Sequence, residues 1–240
     1  MIGEFHNQPE SKQLLVENMS ELKRQGVQTL YLEGLVADLH DADVAAYFAS
    51  PTAPMPTSLQ TWSDGIARGN GIDPAGRGTY RALLEAARAN EIQVKPLDCT
   101  ATVIEEELTR SIDSLTADDI NGTRRLRKMN FFASAMIRQH QSATGNEKWV
   151  ALVGAGHINT LQGVPTVSDL TDAVGVWIKV KRRYRHADIQ PGHTLRRKNR
   201  GFDYVWKRPP TGSRRRRHEA GHERSQRRLF NAPAYSFHRR

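Results

Sequence analysis

Short apolar runs alternate with helical patterns along the first 180 residues of this 240-residue chain. The clearest strand pattern covers residues 27–33 and ends in the carboxylate of Glu33, and a second buried strand is predicted at Trp149–Val153. Between them, residues 124–140 carry apolar side chains on one helical face. Strands that alternate with helices form parallel sheets. The pattern therefore predicts an α/β fold with a mostly parallel central sheet flanked by helices.

The remaining elements follow from the same periodicities. Helices are predicted at residues 11–25, 42–48 and 79–89, and strands at residues 92–98 and 174–180. Residues 51–76 are rich in Pro, Gly and Asn, which predicts a long loop. Loops of that length often cover a binding site.

The positive charge of the chain is concentrated at its C-terminal end. Residues 181–240 contain 19 Lys and Arg against 4 Asp and Glu, a net charge of +15. Of the 35 basic and 26 acidic residues of the whole chain, residues 1–180 hold 16 and 22, a net charge of −6. The overall basicity therefore does not indicate that the predicted folded part binds nucleic acid.

Two motifs of the form Gly-x-x-His lie far apart in the chain, at Gly3–His6 and Gly154–His157. A glycine at the end of a strand allows a sharp turn, and the histidine then lies at the edge of the sheet. Ligands of parallel sheets bind outside the carboxyl ends of the strands. Glu33 and Asp98 also follow predicted strands, so the sequence predicts a site at this edge.

Only Met1 and Ile2 precede the first motif, whereas an apolar run precedes the second. One interpretation is a chance match at a natural N-terminus. The other, which we favour, is that residues 1–180 form an N-terminally truncated domain whose first central strand is missing.

The ordered motifs resemble the Tiki/TraB/ChaN-like superfamily, which includes erythromycin esterases and a domain of large bacterial dermonecrotic-type toxins. The shared pattern is an early Gly-x-x-His, a strand-ending glutamate, a helix with Arg and Asn, and a late Gly-x-x-His. In this chain the glutamate is Glu33 and the helix carries Arg127 and Asn130. The surrounding residues are most similar to the membrane-targeted effector domain of Gram-negative toxins, over about residues 2–180.

This resemblance implies a hydrolytic site in a secreted or host-delivered effector. Some members are metal-dependent, and ChaN-like members are linked to haem or iron. The implied partners are a host membrane, a host protein or a small-molecule substrate.

His6, Glu33 and His157 carry the donor atoms that bind a divalent transition metal with one position open to water. Glu4 could then act as a general base on that water. Without a metal, one imidazole could itself be the base, oriented by Glu33. Both interpretations stay open at this point, as does the interpretation that the histidines are ordinary polar turn residues.

Three more residues join the predicted site, with Asn130 in the catalytic set and Asp98 and Arg127 in contact with substrate. Arg127 and Asn130 share a helix face because they are three residues apart. Each assignment has a structural alternative: Arg127 could be solvated among its basic neighbours, and Asp98 could cap the helix that follows it.

The basic segment 181–240 has few aliphatic residues and a run of arginines at 214–217, so it is predicted to be disordered. It could bind nucleic acid or an anionic membrane, have no partner, or result from a frameshift, which is the interpretation we favour. His218–His222 matches the zinc-protease pattern His-Glu-x-x-His, but its surroundings lack the apolar face that such a helix needs.

The leading functional prediction is therefore a hydrolase domain of a secreted bacterial toxin. The alternatives are a non-catalytic binding or membrane-targeting module on the same scaffold and a nucleic-acid binder that acts through the tail. The sequence shows no signal-peptide or membrane-span pattern, and Cys99, as its only cysteine, excludes an intrachain disulfide.

Overall fold

A computed structural model describes residues 1–100, 123–158, 163–180 and 204–208, with only the backbone described at 177–180 and 204–208. Its elements, in chain order, are β1 (Ile2–Glu4), α1 (Glu10–Arg24), β2 (Val27–Val36), α2 (Ala37–Ala49), α3 (Thr57–Gly69), α4 (Tyr80–Ala89), β3 (Gln93–Asp98), α5 (Thr123–Thr144), β4 (Lys148–Gly154), α6 (Val167–Thr171), β5 (Val176–Val180) and β6 (Tyr204–Arg208). A short 3₁₀ turn at Ala155–His157 follows β4.

The strands form one sheet in the order β3-β2-β4-β1-β5-β6, and every neighbouring pair is parallel. This confirms the predicted α/β fold with a parallel sheet. Strand β4 lies between β2 and β1, so the carboxyl ends of these three strands meet at one edge. The two Gly-x-x-His motifs and Glu33 are thereby brought to adjacent positions.

Alternating side chains divide the core between the two faces of the sheet. Leu30, Leu32 and Leu152 pack with residues of α1 and α4 on one face. Tyr31 and Val153, which alternate with them, pack with residues of α5 on the other. The domain therefore has three layers, with helices on both faces of the sheet.

A first strand is present, which corrects the expectation that it is missing. Strand β1 pairs with β4 through Ile2, Gly3 and Glu4, and with β5 through Ile2 and Gly3. The Met1 carbonyl also accepts a hydrogen bond of 2.8 Å from the backbone N–H of Val176. Because β1 is hydrogen-bonded on both sides, three residues suffice for a strand that an apolar-run criterion misses.

A helix, α3, occupies half of the segment predicted as a long loop, and this too is a correction. Leu59, Ser63 and Ala67 are spaced four residues apart and form its buried face. The prolines of the segment lie outside the helix, and of its glycines only Gly65 lies in the helix interior. Helix α2 likewise begins at Ala37, five residues earlier than predicted.

Strand β6 lies within the segment predicted to be disordered, and it pairs with β5 from Val176↔Tyr204 to Val180↔Arg208. Its Tyr-Val-Trp sequence has high strand propensity, which explains why residues 204–208 differ from that prediction. The remainder of segment 181–240, including the His218–His222 motif, lies outside the described residues. Among the described helices, none is both long enough and sufficiently apolar to span a bilayer.

Candidate functional site

Glu4, the last residue of β1, is a buried carboxylate surrounded by donors. Its side chain is 1% exposed. Oε2 accepts a 2.7 Å hydrogen bond from Nζ of Lys12, and Oε1 accepts a 3.0 Å hydrogen bond from the hydroxyl of Tyr80. Nδ1 of His6 lies 3.2 Å from the same Oε1. Glu4 therefore serves as an acceptor for three side chains at once.

His6 lies just beyond β1 and is the most exposed member of the cluster, with a side chain 56% exposed. Its Nδ1 faces Glu4, and its Nε2 is 3.8 Å from Oε1 of Glu33. The hydrogen bond to Glu4 raises the pKa of His6; burial opposes this effect and the charge of Glu33 adds to it. His6 thus bridges two carboxylates while one edge of its ring stays open to solvent.

The carboxylate of Glu33, in β2, contacts residues at the ends of both β4 and β1. Oε1 lies 3.1 Å from Nε2 of His157, and Oε2 accepts a hydrogen bond from the backbone N–H of Gly154. Burial acts to raise the pKa of the Glu33 carboxyl, but the His157 hydrogen bond, the charges of both histidines and the Gly154 N–H together lower it. Glu33 is therefore held as a carboxylate between two imidazoles.

His157 is fixed from behind by Asn130 of α5. Nδ1 of His157 is 2.5 Å from Oδ1 of Asn130, and Nδ2 of Asn130 donates a 2.7 Å hydrogen bond to the carbonyl of Pro165. A carbonyl can only accept, so the Asn130 amide must present its oxygen to His157. It follows that Nδ1 of His157 carries a hydrogen, and that its Nε2 faces Glu33.

Gly154 lies at the centre of this arrangement, at the end of β4. A Cβ at this position would lie 2.9 Å from Nε2 of His6 and 3.3 Å from Oε2 of Glu33. Glu4 belongs to the face of the sheet that α1 and α4 cover, whereas His157 and Asn130 lie on the α5 side. The missing side chain allows the His6 ring to cross the sheet edge between these two halves.

The structure thus brings five predicted site residues together: Glu4, His6, Glu33, Asn130 and His157. The other two belong to β3 and α5. Asp98 is buried at the end of β3, the strand next to β2, where its Oδ1 accepts a hydrogen bond from the N–H of Cys99. Arg127 is exposed on α5, three residues before Asn130. Their assignment to substrate binding remains a prediction.

Lys12 and Tyr80 belong to the site but were not predicted from the sequence. Lys12 is part of the predicted helix α1 and lies on its buried stripe with Leu15, Met19 and Leu22. A lysine on an apolar stripe needs a buried partner, and this was the available signal. No comparable signal marked Tyr80, which has the pattern of an ordinary core residue at the start of α4.

His6, Glu33 and His157, the predicted metal ligands, do not have the arrangement of a metal centre in the described structure. Within residues 1–100, 123–158, 163–180 and 204–208, no group of three or more His, Cys, Asp and Glu side chains is placed to hold a metal ion. Oε1 of Glu33 lies against Nε2 of His157, and its Oε2 is hydrogen-bonded to Gly154. These donor atoms bind each other, so we derive no chemical step through a metal.

No protein-family model and no curated protein sequence matches this chain. Several solved structures, however, match this chain. RRSP, a MARTX toxin effector domain from Vibrio vulnificus CMCP6, is 25% identical, with a TM-score of 0.55 over 74% of this chain and 32% of that chain. The chain has a toxin-effector-like fold. It spans about a third of that neighbour's length.

Two further neighbours show the same fold. The type III effector HopBA1 is 17% identical, with a TM-score of 0.54 over 86% of this chain and 85% of that chain. The C-terminal region of Pasteurella multocida toxin, which has a thiol-protease-like catalytic triad, is 12% identical, with a TM-score of 0.51 over 72% of this chain and 22% of that chain. Bacterial toxin effector domains are thus the structural neighbours of this chain.

Proposed function

We propose that this chain is the catalytic part of a host-delivered bacterial effector that hydrolyses an acyl bond, an amide or an ester, by acid–base catalysis. The observation that carries the proposal is the convergence of two histidines on one carboxylate oxygen. Nε2 of His157 and Nε2 of His6 lie 3.1 and 3.8 Å from Oε1 of Glu33. Paired imidazoles at the open edge of a parallel sheet are suited to move protons on a bound substrate.

His6 is the general base of this proposal. Its Nδ1 donates to Glu4, so in the neutral ring the lone pair is on Nε2, at the more exposed end of the cluster. A water molecule that hydrogen-bonds to this nitrogen can transfer a proton to it while the water oxygen attacks the substrate carbonyl carbon.

His157 is the general acid. Both of its ring nitrogens face oxygen atoms that accept hydrogen bonds, Asn130 Oδ1 and Glu33 Oε1, so in this proposal both nitrogens act as donors. Its Nε2 hydrogen goes to the leaving nitrogen or oxygen as the acyl bond breaks. Glu33 lies between the two rings, so the proton gained by His6 can return to His157 through Oε1, and one water is consumed in each cycle.

The finer assignments are part of the same proposal. The ordered Gly-x-x-His motifs support membership of the Tiki/TraB/ChaN-like superfamily, and the toxin neighbours support delivery into a host cell with a host protein or small molecule as substrate. We assign substrate contact to Asp98, at the end of β3, and to the exposed Arg127 of α5 as part of this proposal.

The proposal is tested on host-cell lysate with the purified chain. New protein amino termini are labelled and identified, and a panel of chromogenic esters is assayed in parallel. We expect cleavage by the wild type and its loss in His6→Gln and His157→Gln. The matched control is His140→Gln on α5, because His140 contacts Tyr31, whose hydroxyl keeps the 3.0 Å hydrogen bond from Gln141.

Three other outcomes would favour the alternative interpretations or contradict the proposed acid. Binding of the wild type to anionic vesicles or haem, with no cleavage of any substrate, would favour the non-catalytic module. Cleavage that a chelator abolishes and zinc restores would favour the metal-dependent interpretation. Cleavage that persists in His157→Gln would contradict the proposed acid.

A further inference from the structure

Two buried donors hold Glu4 on the side away from the solvent-exposed edge of the site. Lys12 is 1% exposed and Tyr80 is 3% exposed, and both bind the Glu4 carboxylate directly. Nζ of Lys12 also lies 4.9 Å from the centre of the Tyr80 ring, a cation–π distance. Lys12 and Tyr80 therefore form one unit, the Lys12–Tyr80 clamp.

Neighbouring residues pack against the clamp or leave space for it. The Tyr80 ring packs against Trp62, with ring centroids 5.0 Å apart. A Cβ at Gly34, which follows Glu33 in β2, would lie 2.7 Å from the Tyr80 hydroxyl. Only glycine at position 34 lets that hydroxyl reach Glu4. Two strands and three helices thus contribute to the placement of a single carboxylate.

Burial of a lysine with a glutamate is costly, and an apolar pair would often be as stable. The consequence for His6 gives the clamp a chemical role. An ammonium and a hydroxyl both donate to the oxygens of Glu4, so the carboxylate acts as an acceptor and accepts from His6 as well. Nδ1 of His6 must then carry the hydrogen, and the lone pair of the neutral ring is left on Nε2.

We propose that Lys12 and Tyr80 are positioning residues, which fix the tautomer of His6 through Glu4 and so direct the Nε2 lone pair toward the site. Lys12 and Tyr80 engage the Glu4 oxygens as acceptors, so removal of either donor weakens the preference for a hydrogen on Nδ1 of His6. A hydrogen on Nε2 instead would remove the lone pair that faces the site.

The importance of this tautomer rests on the proposed function, but its test does not. Long-range ¹H–¹⁵N correlation spectra of the full chain report which imidazole nitrogen carries a hydrogen in the resting protein, without substrate. Failure to find hydrolysis would leave the spectra unchanged, and a wrong tautomer would leave any measured hydrolysis standing.

The spectra of the wild type, Lys12→Met and Tyr80→Phe are compared at one pH above the pKa of His6. We expect the wild type to show His6 with hydrogen on Nδ1. In Lys12→Met the ratio of the free-Nε2 form to the form with hydrogen on Nε2 falls at least about tenfold, because a hydrogen bond from a charged donor is removed. In Tyr80→Phe the same ratio falls about fivefold, because one neutral hydrogen bond is removed.

His157 is the internal control, since Asn130 fixes its ring independently of the clamp. Its Nδ1 signal, which the contact with Asn130 determines, should be kept in all three proteins, which also shows that each variant is folded. A wild-type His6 with hydrogen on Nε2, or a folded Lys12→Met with the wild-type pattern, would overturn the proposal. If Lys12→Met does not fold, Tyr80→Phe decides: an unchanged His6 overturns the proposal and a lower free-Nε2 population supports it.

Discussion

Replacement of Gly154 by alanine adds one methyl group at the point where the two halves of the site meet. The backbone of Gly154 has φ −57° and ψ 148°, which alanine adopts freely, so no backbone strain arises. The new Cβ would lie 2.9 Å from Nε2 of His6, whereas an unstrained contact needs about 3.5 Å. The His6 ring must therefore move by about 0.6 Å.

This displacement of the His6 ring should lower activity more than it lowers stability. The His6 side chain is 56% exposed and can turn toward solvent, so the loss of folding free energy should be at the low end of overpacking effects, about 1 kcal/mol. Catalysis is more sensitive to position, because a displacement of about 1 Å costs about 100-fold in rate. We expect Gly154→Ala to be folded and about 10- to 100-fold less active.

The assay combines the rate of cleavage of a substrate identified in lysate with urea denaturation of the same protein. Gly65→Ala is the matched control: it lies within α3, and its added Cβ would meet no atom within 4 Å. It should retain activity and gain about 0.5–1 kcal/mol of stability. Wild-type activity in Gly154→Ala would refute the placement of His6 across the end of β4.

Other predictions test the remaining contacts. Asn130→Ala should cost about 1–3 kcal/mol in urea denaturation, because it removes buried hydrogen bonds to His157 and Pro165, and it should also lower activity; unchanged stability would contradict this. The folded-state pKa of His6 is raised, so its contribution to stability is present below about pH 6.5 and lost as the pH rises through the folded value. His6→Gln should flatten that pH dependence. The pKa of Glu33 is lowered, so its contribution is lost as the pH falls through the folded value, and Glu33→Gln should lose stability mainly above about pH 4.3. Activity should survive prolonged dialysis against a chelator, and elemental analysis of the dialysed protein checks that no transition metal is left.

Local patterns predicted the regular elements well where each element buries its own apolar stripe. Helix α1 was expected at residues 11–25 and occupies Glu10–Arg24, because Leu15, Met19 and Leu22 form a continuous buried face. Strand β1 shows the limit of such patterns. Its hydrogen bonds come from β4 and β5, about 150 residues away, and nothing in residues 2–4 alone indicates them.

The candidate site follows the same division. Glu33 and the Gly154–His157 motif could be placed at one sheet edge because each follows a predicted parallel strand, whereas the strand before Gly3–His6 was expected to be missing. The face on which each side chain lies depends on register, and the change of register between Leu32 and Val36 of β2 was not predictable from hydrophobic alternation. Lys12 and Tyr80 were missed for a similar reason, because their role depends on contacts between elements.

The position of β1 also sets the order in which this protein can assemble. Its partners are Leu152–Gly154 on one side and Val176–Trp177 on the other, so nearly the whole domain must be present before β1 has a place in the sheet. Contacts so distant in sequence form slowly and late. Glu4 and His6 are carried on this strand. A chain that is kept unfolded therefore holds all the residues of the site but not the site itself.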